Sequence, residues 1–343
     1  MGDGKQNDEI VVIGAGLIGA LIAHTLASRG RQVAVLEAQR AGQGATAHAV
    51  GLVTPQLTQA ALPGTLHGVD EMTTLSMQLG MVPRSCRVLH LATAQVGVDA
   101  LQMFCTSYGG DRPKMVWETQ PGGLPAGFTA GLVVHYSVLL DVAALTKKLL
   151  LHPAITVREN AEVHALDYHA GKLVVLAHGY TLRCAALVLA TNAYAGLLSP
   201  YLADAVQTAR GYSWTSRQLN DQPALMDRVQ KVVPVPLVID DGQMIVSQTP
   251  DDRLRINAWR TTDDEGADPA EDVLRFLHEH LPELLNYTQD HRSGVTTVAR
   301  DGAPLIGKLV GDGAVFYALG AGVYGPAWAP AMVERVARMM NEV

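Results

Sequence analysis

The sequence predicts an α/β protein: a Rossmann-like nucleotide-binding domain with an inserted, mainly antiparallel β domain. Three observations support this fold class. A strand, a glycine-rich turn, a helix and a second strand open the chain, a further buried strand stands at its middle, and a strand, glycine-rich turn and helix close it. Since pieces of one sheet recur at three places, the segments between them form a separate domain. We predict a nucleotide domain of residues 1–60, 140–204 and 296–343, and a second domain of residues 61–139 and 205–295.

The first unit is the strongest local signal. Residues 10–13 (IVVI) are a short β-branched run that suits a buried parallel strand. The glycines Gly14, Gly16 and Gly19 follow with G-x-G-x-x-G spacing, a helix comes next, and a second strand, residues 32–36, closes with Glu37. In such a unit the glycines permit a tight turn, close approach of a pyrophosphate and close helix packing. The helix N-terminus favours phosphate, and the acidic residue accepts hydrogen bonds from ribose.

The remaining elements are read from strand runs, turns and helix caps. Residues 90–96 and 186–190 are predicted strands, and residues 139–151 a helix with Asp141 near its start. The sequence Asp240-Asp241-Gly242 predicts a turn between two strands of the second domain. Asp268 and Pro269 predict the start of a helix, and the last helix is expected over about residues 327–340.

Composition excludes several classes of protein. The chain has 343 residues, of which 48% are hydrophobic and 17% charged, so it is not intrinsically disordered. With 26 basic and 33 acidic residues its net charge is -7, which argues against nucleic acid as the default partner. Its three cysteines lie far apart, which predicts neither a metal site nor a disulfide framework. The polar start, MGDGKQNDE, is not a signal peptide, and no apolar run is long enough to span a bilayer, so we expect a cytoplasmic protein.

Four blocks of the sequence resemble one known family. They are VVIGAGLIGALIAHTLASRGRQVAVLEA (residues 11–38), GATAHAVGL (44–52), ALVLATNAYAG (186–196), and RDGAPLIG (300–307) with GAGVYGPAWAPAM (320–332). In this order they are similar to the FAD-dependent D-amino-acid oxidase superfamily, which includes glycine and sarcosine oxidases and dimethylglycine dehydrogenase. The resemblance implies that the nucleotide domain binds FAD and that the inserted domain binds a small amine substrate.

The implied activity is oxidation of the C–N bond of an amine or amino acid. A hydride passes from the substrate carbon to flavin N5, and water hydrolyses the resulting imine. The enzyme would be an oxidase or dehydrogenase acting on CH–NH or CH–NH2 groups, with oxygen or another acceptor reoxidising the flavin.

The resemblance also implies which residues hold the cofactor. Besides the three glycines, Leu17, Ile18, Glu37 and Ala38 would line the ADP half, and Val163 would contact adenine through its backbone. The segment with Ala45, Thr46, Val50, Gly51 and Leu52 would pass beside the flavin. The turn of Gly322, Val323, Tyr324 and Gly325 would lie near the flavin O2 edge, where the dipole of the last helix stabilises negative charge on the reduced ring.

His48 has two alternative roles. The loop G-A-T-A-H-A-V-G-L resembles the loop of dimethylglycine and sarcosine dehydrogenases whose histidine carries FAD covalently. Covalent attachment of FAD at His48 is therefore one expectation. Packing of the imidazole on the cofactor without a bond is the other.

The substrate pocket departs from the glycine-oxidase pattern. Thr296 and Val323 stand where that branch has the two arginines that clamp a substrate carboxylate. Arg260 and Arg300 are candidate replacements, although a surface or structural role is the commoner one for such arginines. Tyr324 and Arg260 are the candidate catalytic residues, and Tyr212, Trp259 and Tyr324 are candidate aromatic walls of the pocket.

Three other functions remain open at this point. The end of the chain also resembles the oxidase module of the bifunctional enzyme that acts on carboxymethylaminomethyluridine in tRNA, although the net charge of -7 argues against it. A non-catalytic flavoprotein subunit of a larger complex is the second alternative. A nicotinamide-dependent dehydrogenase is the third, because the glycine fingerprint alone does not distinguish NAD from FAD.

Overall fold

A computed structural model describes residues 10–341, except residues 109, 121–123, 170–171, 250, 263–267, 301 and 312. The polar segment of residues 1–9 lies outside the described residues. The strands are β1 Ile10–Ile13, β2 Val33–Leu36, β3 Leu52–Val53, β4 Arg84–Leu91, β5 Met115–Glu118, β6 Gly131–Leu139, β7 Ile155–Arg158, β8 Val163–His169, β9 Lys172–Ala177, β10 Tyr180–Cys184, β11 Ala186–Leu189, β12 Val206–Ser216, β13 Leu237–Ile239, β14 Met244–Gln248, β15 Leu254–Thr261, β16 Thr288–Ala299, β17 Leu305–Lys308 and β18 Val315–Leu319. The helices are α1 Leu17–Ser28, α2 Leu62–Gln78, α3 Gln95–Ser107, α4 Val142–Leu149, α5 Pro200–Ala205, α6 Pro223–Val232, α7 Pro269–His280 and α8 Gly325–Asn341.

The nucleotide domain is built on a six-stranded sheet of order β17-β18-β11-β1-β2-β7. All its neighbouring strands are parallel except the edge pair β17 and β18. β1 lies between β2 and β11, so the connections diverge on its two sides. In a parallel sheet of this kind the ligand binds at the carboxyl ends of the strands where the order diverges. The glycine-rich turn after β1 is at that point.

Helices α1, α2 and α8 cover one face of this sheet. The shared core contains Val12 and Val35 from the sheet, Val69 and Met72 from α2, and Val336 from α8, each at most 4% exposed. α2 lies within residues 61–139, the segment predicted to belong to the second domain, and its apolar side chains enter the same core as β1 and β2.

The second domain is a nine-stranded sheet. Its order is β16-β12-β15-β14-β13-β4-β6-β3, and β5 pairs with β6 outside this path. One face packs against α6 and α7 through a core that includes Trp214, Ile256 and Phe276. Because side chains alternate along a strand, Arg255, Asn257 and Trp259 of β15 lie on the opposite face. We call this opposite face the inner face.

Local signals in the sequence set several element ends. Asp268 accepts a hydrogen bond from the Ala270 N–H at 2.9 Å, so the predicted cap of α7 is confirmed. Asp141 accepts one from the Ala144 N–H at 2.9 Å and caps α4, which begins at Val142 rather than at residue 139, because Leu139 still belongs to β6. The predicted strand at residues 90–96 is wrong in its second half, because β4 ends at Leu91 and α3 begins at Gln95. In the described part of the chain, no helix is both long and apolar enough to cross a membrane.

Candidate functional site

The glycine-rich turn after β1 has no room for larger side chains. Gly14 has φ +100°, which favours glycine, and a Cβ there would stand 2.6 Å from the Ala190 carbonyl oxygen. At Gly19 a Cβ would be 3.0 Å from the carbonyl carbon of Gly14 and nearer still to its oxygen. The turn therefore folds against both α1 and the end of β11. Gly14 and Gly16 remain half-buried, so this compact turn would let a ligand's phosphates approach the backbone.

The N-terminus of α1 faces Thr46. Gly16 stands at the N-cap and offers no side chain to the first helical N–H groups. Instead the Leu17 N–H donates to the Thr46 hydroxyl at 3.0 Å, so the loop that contains Thr46 is drawn to the positive end of the helix. The pairing of a helix N-terminus with a hydroxyl suits a bound phosphate.

Glu37 closes the other side of the turn. Its Oε2 accepts the Ala15 N–H at 2.8 Å and its Oε1 accepts the Gln39 N–H at 2.9 Å. A carboxylate has about four lone-pair positions, so Glu37 keeps capacity for ribose hydroxyls. The Ala161 N–H donates to the Glu37 carbonyl at 2.8 Å, which brings the start of β8 at Val163 beside this acidic end. Ala38 is exposed next to it.

The segment of residues 44–53 joins the two domains. It forms a 3₁₀ turn at Ala45–His48 and then crosses the inner face of the nine-stranded sheet. The Arg255 guanidinium donates to the Ala49 carbonyl at 2.9 Å, and the Asn257 amide donates to the His48 carbonyl. Gly51 has φ +83°, and a Cβ there would stand 2.6 Å from the Leu140 carbonyl oxygen.

An apolar cluster lies under this segment. It is formed by buried side chains from both domains, with Val323 packed at its edge: Val50, Leu52, Val88, Leu139, Val238 and Ile245. The predicted flavin segment and the predicted flavin turn therefore meet at one patch of the inner face.

His48 is 8% exposed and lies against the backbone of β16. A Cβ on Gly294 would stand 2.9 Å from His48 Nε2, so only glycine leaves space for the ring. Burial lowers the pKa of His48, and the charge of Arg292 lowers it further. The imidazole is therefore neutral at neutral pH. Covalent attachment at this residue stays a prediction.

The glycine-rich turn after β18 buries Tyr324. Tyr324 is 5% exposed, and its hydroxyl donates to Asp241 Oδ1 at 2.9 Å. Burial, and then the negative charge of Asp241, hold the pKa of Tyr324 well above its ordinary value. Val323 lies against the same neighbouring turn, because a Cβ on Gly242 would stand 2.5 Å from its Cγ2.

The sequence predicted a turn at Asp240-Asp241-Gly242 but gave it no function. All three residues have left-handed backbones, with φ +49°, +51° and +85°. The Asp240 carboxylate accepts the Thr93 N–H at 2.8 Å and the Thr93 hydroxyl at 2.7 Å. Burial of the Asp241 carboxylate raises its pKa. The acidic turn is thus held on both sides and aims Asp241 at Tyr324.

The Thr296 side chain is buried and hydrogen-bonded to another residue of the protein. It is 6% exposed, and its hydroxyl accepts a hydrogen bond from the Asn192 amide at 3.2 Å. The Asn192 oxygen accepts the Thr297 hydroxyl at 2.6 Å and the Thr297 N–H at 3.1 Å. Asn192 has φ +50°, a conformation that asparagine tolerates better than most residues. It ties the loop after β11 to β16.

The structure corrects the interpretation of Arg260. Its Nη2 lies 2.6 Å from the Asp272 carboxylate of α7, and its Nη1 donates to the Gln243 side chain at 2.5 Å. Arg260 is therefore an ion-pair partner of the helix that covers the other face of the sheet, and we assign it a structural role. Arg300 is exposed at the end of β16.

Two of the three aromatic residues predicted to wall the pocket, Tyr324 and Trp259, lie on the same face as the candidate site. The Trp259 ring covers Gly211, where any Cβ would overlap it. Tyr212 packs with the core under α6 and α7, on the opposite face. Sequence reasoning missed Arg255, Asn257 and Asp241, because only the pleat of β15 and the turn after β13 show where they point.

These residues fit a bound FAD. The glycine turn, the α1 N-terminus and Glu37 form a cradle for a dinucleotide at the carboxyl end of β1. The segment of residues 44–53 and the Tyr324 turn flank the space between the cradle and the inner face. Within the described residues, no group of three or more His, Cys, Asp or Glu is arranged to hold a metal ion.

Comparison with known proteins agrees with this geometry. The model of the DAO family, described as FAD-dependent oxidoreductase, matches residues 9–339. Glycine oxidase from Geobacillus kaustophilus has a similar structure, with a TM-score of 0.82 and 20% identity over 97% of this chain and 94% of that one. L-Proline dehydrogenase from P. horikoshii has a TM-score of 0.79 and 19% identity over 98% and 94%.

Two further relatives are informative. An L-α-glycerophosphate oxidase from Mycoplasma pneumoniae, with FAD bound, has a TM-score of 0.76 and 18% identity over 98% of this chain and 95% of that one. The tRNA 5-methylaminomethyl-2-thiouridine biosynthesis bifunctional protein MnmC of Chromohalobacter salexigens is 28% identical over 219 residues. That match covers 59% of this chain and 31% of the relative, so the chain matches less than a third of the relative's length.

Proposed function

Because this chain belongs to the DAO family of FAD-dependent oxidoreductases, we propose that it oxidises the C–N bond of a small amine. The observation that carries the proposal is the meeting of the two flavin-lining segments on the inner face. The segment of residues 44–53 crosses that face, and Val323 and Tyr324 contact its acidic turn. A substrate bound on the inner face would therefore stand beside the cofactor.

One group of residues would bind the nucleotide half of FAD, and a second group would line the flavin. The glycine turn and the α1 N-terminus would bind the pyrophosphate, and Glu37 the ribose, with Val163 beside the adenine. The flanks of the flavin would be Ala45, Thr46, His48, Val50, Gly51 and Leu52 on one side, and Gly322 to Gly325 on the other. When bound, FAD supplies a two-electron acceptor that takes a hydride.

The protein's own groups would bind and orient the amine. Tyr324 stays protonated at neutral pH because its pKa is raised, so its hydroxyl fixes the Asp241 carboxylate rather than carrying charge itself. Trp259 and the apolar cluster would exclude water from the reacting carbon. The amine would lose a hydride from its α-carbon while its nitrogen lone pair forms the C=N bond. Water would hydrolyse the imine in a separate, later step.

An absorption spectrum tests the cofactor and an anaerobic titration tests the reaction. We expect flavin absorbance in the purified protein, and bleaching when a small amine is added without oxygen. Acid precipitation separates the two expectations for His48, since covalent FAD stays in the pellet and free FAD remains in the supernatant. Protein that neither contains nor takes up FAD would refute the proposal. Oxygen uptake after reduction would show whether oxygen is the acceptor.

The similarity to MnmC supports a second candidate, oxidation of a modified uridine in tRNA. Its substrate would carry a secondary amine, so the oxidised bond would again be a C–N bond. The bound molecule would be a tRNA instead of a small amine. The net charge of -7 disfavours an extended phosphate contact. Flavin reduction by hypomodified tRNA at low salt, with no reduction by small amines, would favour this candidate over the first.

A further inference from the structure

We propose that the site selects amines without a carboxylate next to the reacting carbon, and that Asp241 binds a cationic group of the substrate. This inference rests on the proposed amine oxidation and names its substrate class. Three features of the structure carry it: the surroundings of Val323 and Thr296, the engagement of the nearby arginines, and the geometry of the acidic turn.

No positive charge is supplied at Val323 or Thr296. Val323 packs at the edge of the apolar cluster and against Gly242, and Thr296 is buried with its hydroxyl bound by Asn192. A substrate carboxylate placed against these two side chains would lose its hydration without gaining a counter-charge. Burial of an unpaired carboxylate is strongly unfavourable.

The two arginines of β15 differ in their partners: Arg260 is ion-paired, whereas Arg255 lies farther along the strand and its buried Nε has no hydrogen-bond partner among the described residues. Arg260 is held by Asp272 and Gln243. Arg255 pairs in register with Ser247 and donates to the Ala49 carbonyl, beneath the crossing segment. It is four residues from Trp259 along the strand, so it lies about 13 Å from the acidic turn at the usual rise per residue. The Arg255 guanidinium therefore does not stand beside the Val323 turn. That of Arg260 bonds Gln243, next to the acidic turn, but its charge is paired with the Asp272 carboxylate.

The charge that does stand at this turn is negative. Asp241 Oδ1 accepts the Tyr324 hydroxyl, and a carboxylate retains about three further lone-pair positions. Its neighbours partly desolvate the carboxylate, but the residue as a whole is exposed, so a ligand can reach it. An α-carboxylate at this place would be repelled by Asp241, whereas an ammonium group would be bound by a charge-assisted hydrogen bond.

The conformation of the turn fits a binding role. Asp240 and Asp241 both adopt left-handed backbones, which cost free energy in non-glycine residues. The bonds to Thr93 and Tyr324 hold this conformation, and they fix Asp241 relative to both domains. Such strain held in place by surrounding contacts is typical of functional sites.

Two matched substrates test the substrate class in the holoenzyme. Putrescine and ornithine differ only by the α-carboxylate, and cadaverine and lysine form a second such pair. We expect anaerobic flavin reduction by each diamine at least about tenfold faster, at equal subsaturating concentration, than by its amino acid, a difference typical of one charged hydrogen bond. Faster reduction by ornithine and lysine, or equal rates within each pair, would overturn the inference while leaving amine oxidation intact. No reduction by any amine would instead refute the proposed function.

Asp241→Asn tests the residue. It keeps the size and an acceptor for Tyr324 but removes the charge. We expect diamine binding, measured by the perturbation of the flavin spectrum before reduction, to weaken about 10- to 100-fold, and neutral benzylamine to bind as before. Asp252→Asn is the matched control, because Asp252 has φ +56° in another turn of the same sheet and its loss changes net charge equally.

The remaining outcomes also decide the question. Equal weakening of diamine and benzylamine in Asp241→Asn, or diamine binding unchanged from wild type, would refute the assignment to Asp241. If Asp241→Asn fails to retain FAD, Asp241→Glu replaces it. Recovery of the diamine preference in that variant supports the assignment, and a lost preference with FAD bound overturns it.

Discussion

The contact between α2 and α8 gives a sharp test of the packing that supports the Tyr324 turn. At Gly68 of α2 an added Cβ would stand 2.8 Å from the carbonyl carbon of Ala327 and nearer still to its oxygen. Non-bonded heavy atoms prefer about 3.5 to 4.0 Å, and the carbonyl oxygen is nearer than the carbon, so α8 must move by more than about 1 Å to admit the methyl group. Ala327 is in the first turn of α8, which begins directly after Tyr324.

The expected cost of Gly68→Ala follows from two opposing terms. Forcing a methyl group into a packed contact costs about 3 kcal/mol when backbone atoms must move. Alanine regains about 1 kcal/mol of helix propensity over glycine. We therefore expect the free energy of unfolding to fall by about 2 kcal/mol, and FAD affinity to fall with it because the last helix shifts.

Gly64→Ala, one helical turn earlier, is the control. There the nearest atom to an added Cβ is Cζ3 of Trp328 at 3.5 Å, an ordinary contact. It gains the propensity without the clash, so we expect unchanged or slightly higher stability, by about 1 kcal/mol at most. Chemical unfolding and FAD titration of both variants measure the difference. Equal stability of Gly68→Ala and Gly64→Ala would contradict the close approach of the two helices.

Three further predictions concern other parts of the molecule. Gly19→Ala should weaken FAD binding at least about tenfold in a fluorescence titration, because a methyl group would strike the carbonyl of Gly14; unchanged affinity would argue against a packed turn. Burial lowers the pKa of His90 in β4 to about 3. Below about pH 6.5 the unfolded chain therefore binds a proton on this histidine, whereas the folded protein does not. Stability is thus fully present above pH 6.5 and falls by about 1.4 kcal/mol per pH unit as the pH drops towards 3, and His90→Phe should reduce the measured slope by that amount. Arg260→Met should lower the free energy of unfolding by about 2 kcal/mol, because it deprives the Asp272 carboxylate of its nearer ion-pair partner, at 2.6 Å, and leaves it Arg275 at 3.5 Å. It should leave the KM for a diamine unchanged, whereas a raised KM would restore Arg260 to the substrate site.

The sequence was sufficient for the parts of the site that depend on short-range pattern. The spacing of Gly14, Gly16 and Gly19 after a β-branched strand, with Glu37 ending the next strand, predicts the tight strand–turn–helix unit found at the carboxyl end of β1. The same holds for the helix cap at Asp268. These features are local, because each is set by backbone conformation and hydrogen bonds within one supersecondary unit.

Only the tertiary structure decided which distant side chains face one another. Arg260 and Trp259 are neighbours in sequence, yet the pleat of β15 sends Arg260 to Asp272 on one face and Trp259 to the inner face. Asp241 and Tyr324 are 83 residues apart, and nothing in either local sequence pairs them. The sequence alone therefore determined the fold class and the glycine-rich turn after β1. Which charged side chains face Tyr324 and Asp272 was decided by strand register and domain packing, which depend on contacts between residues far apart in the chain.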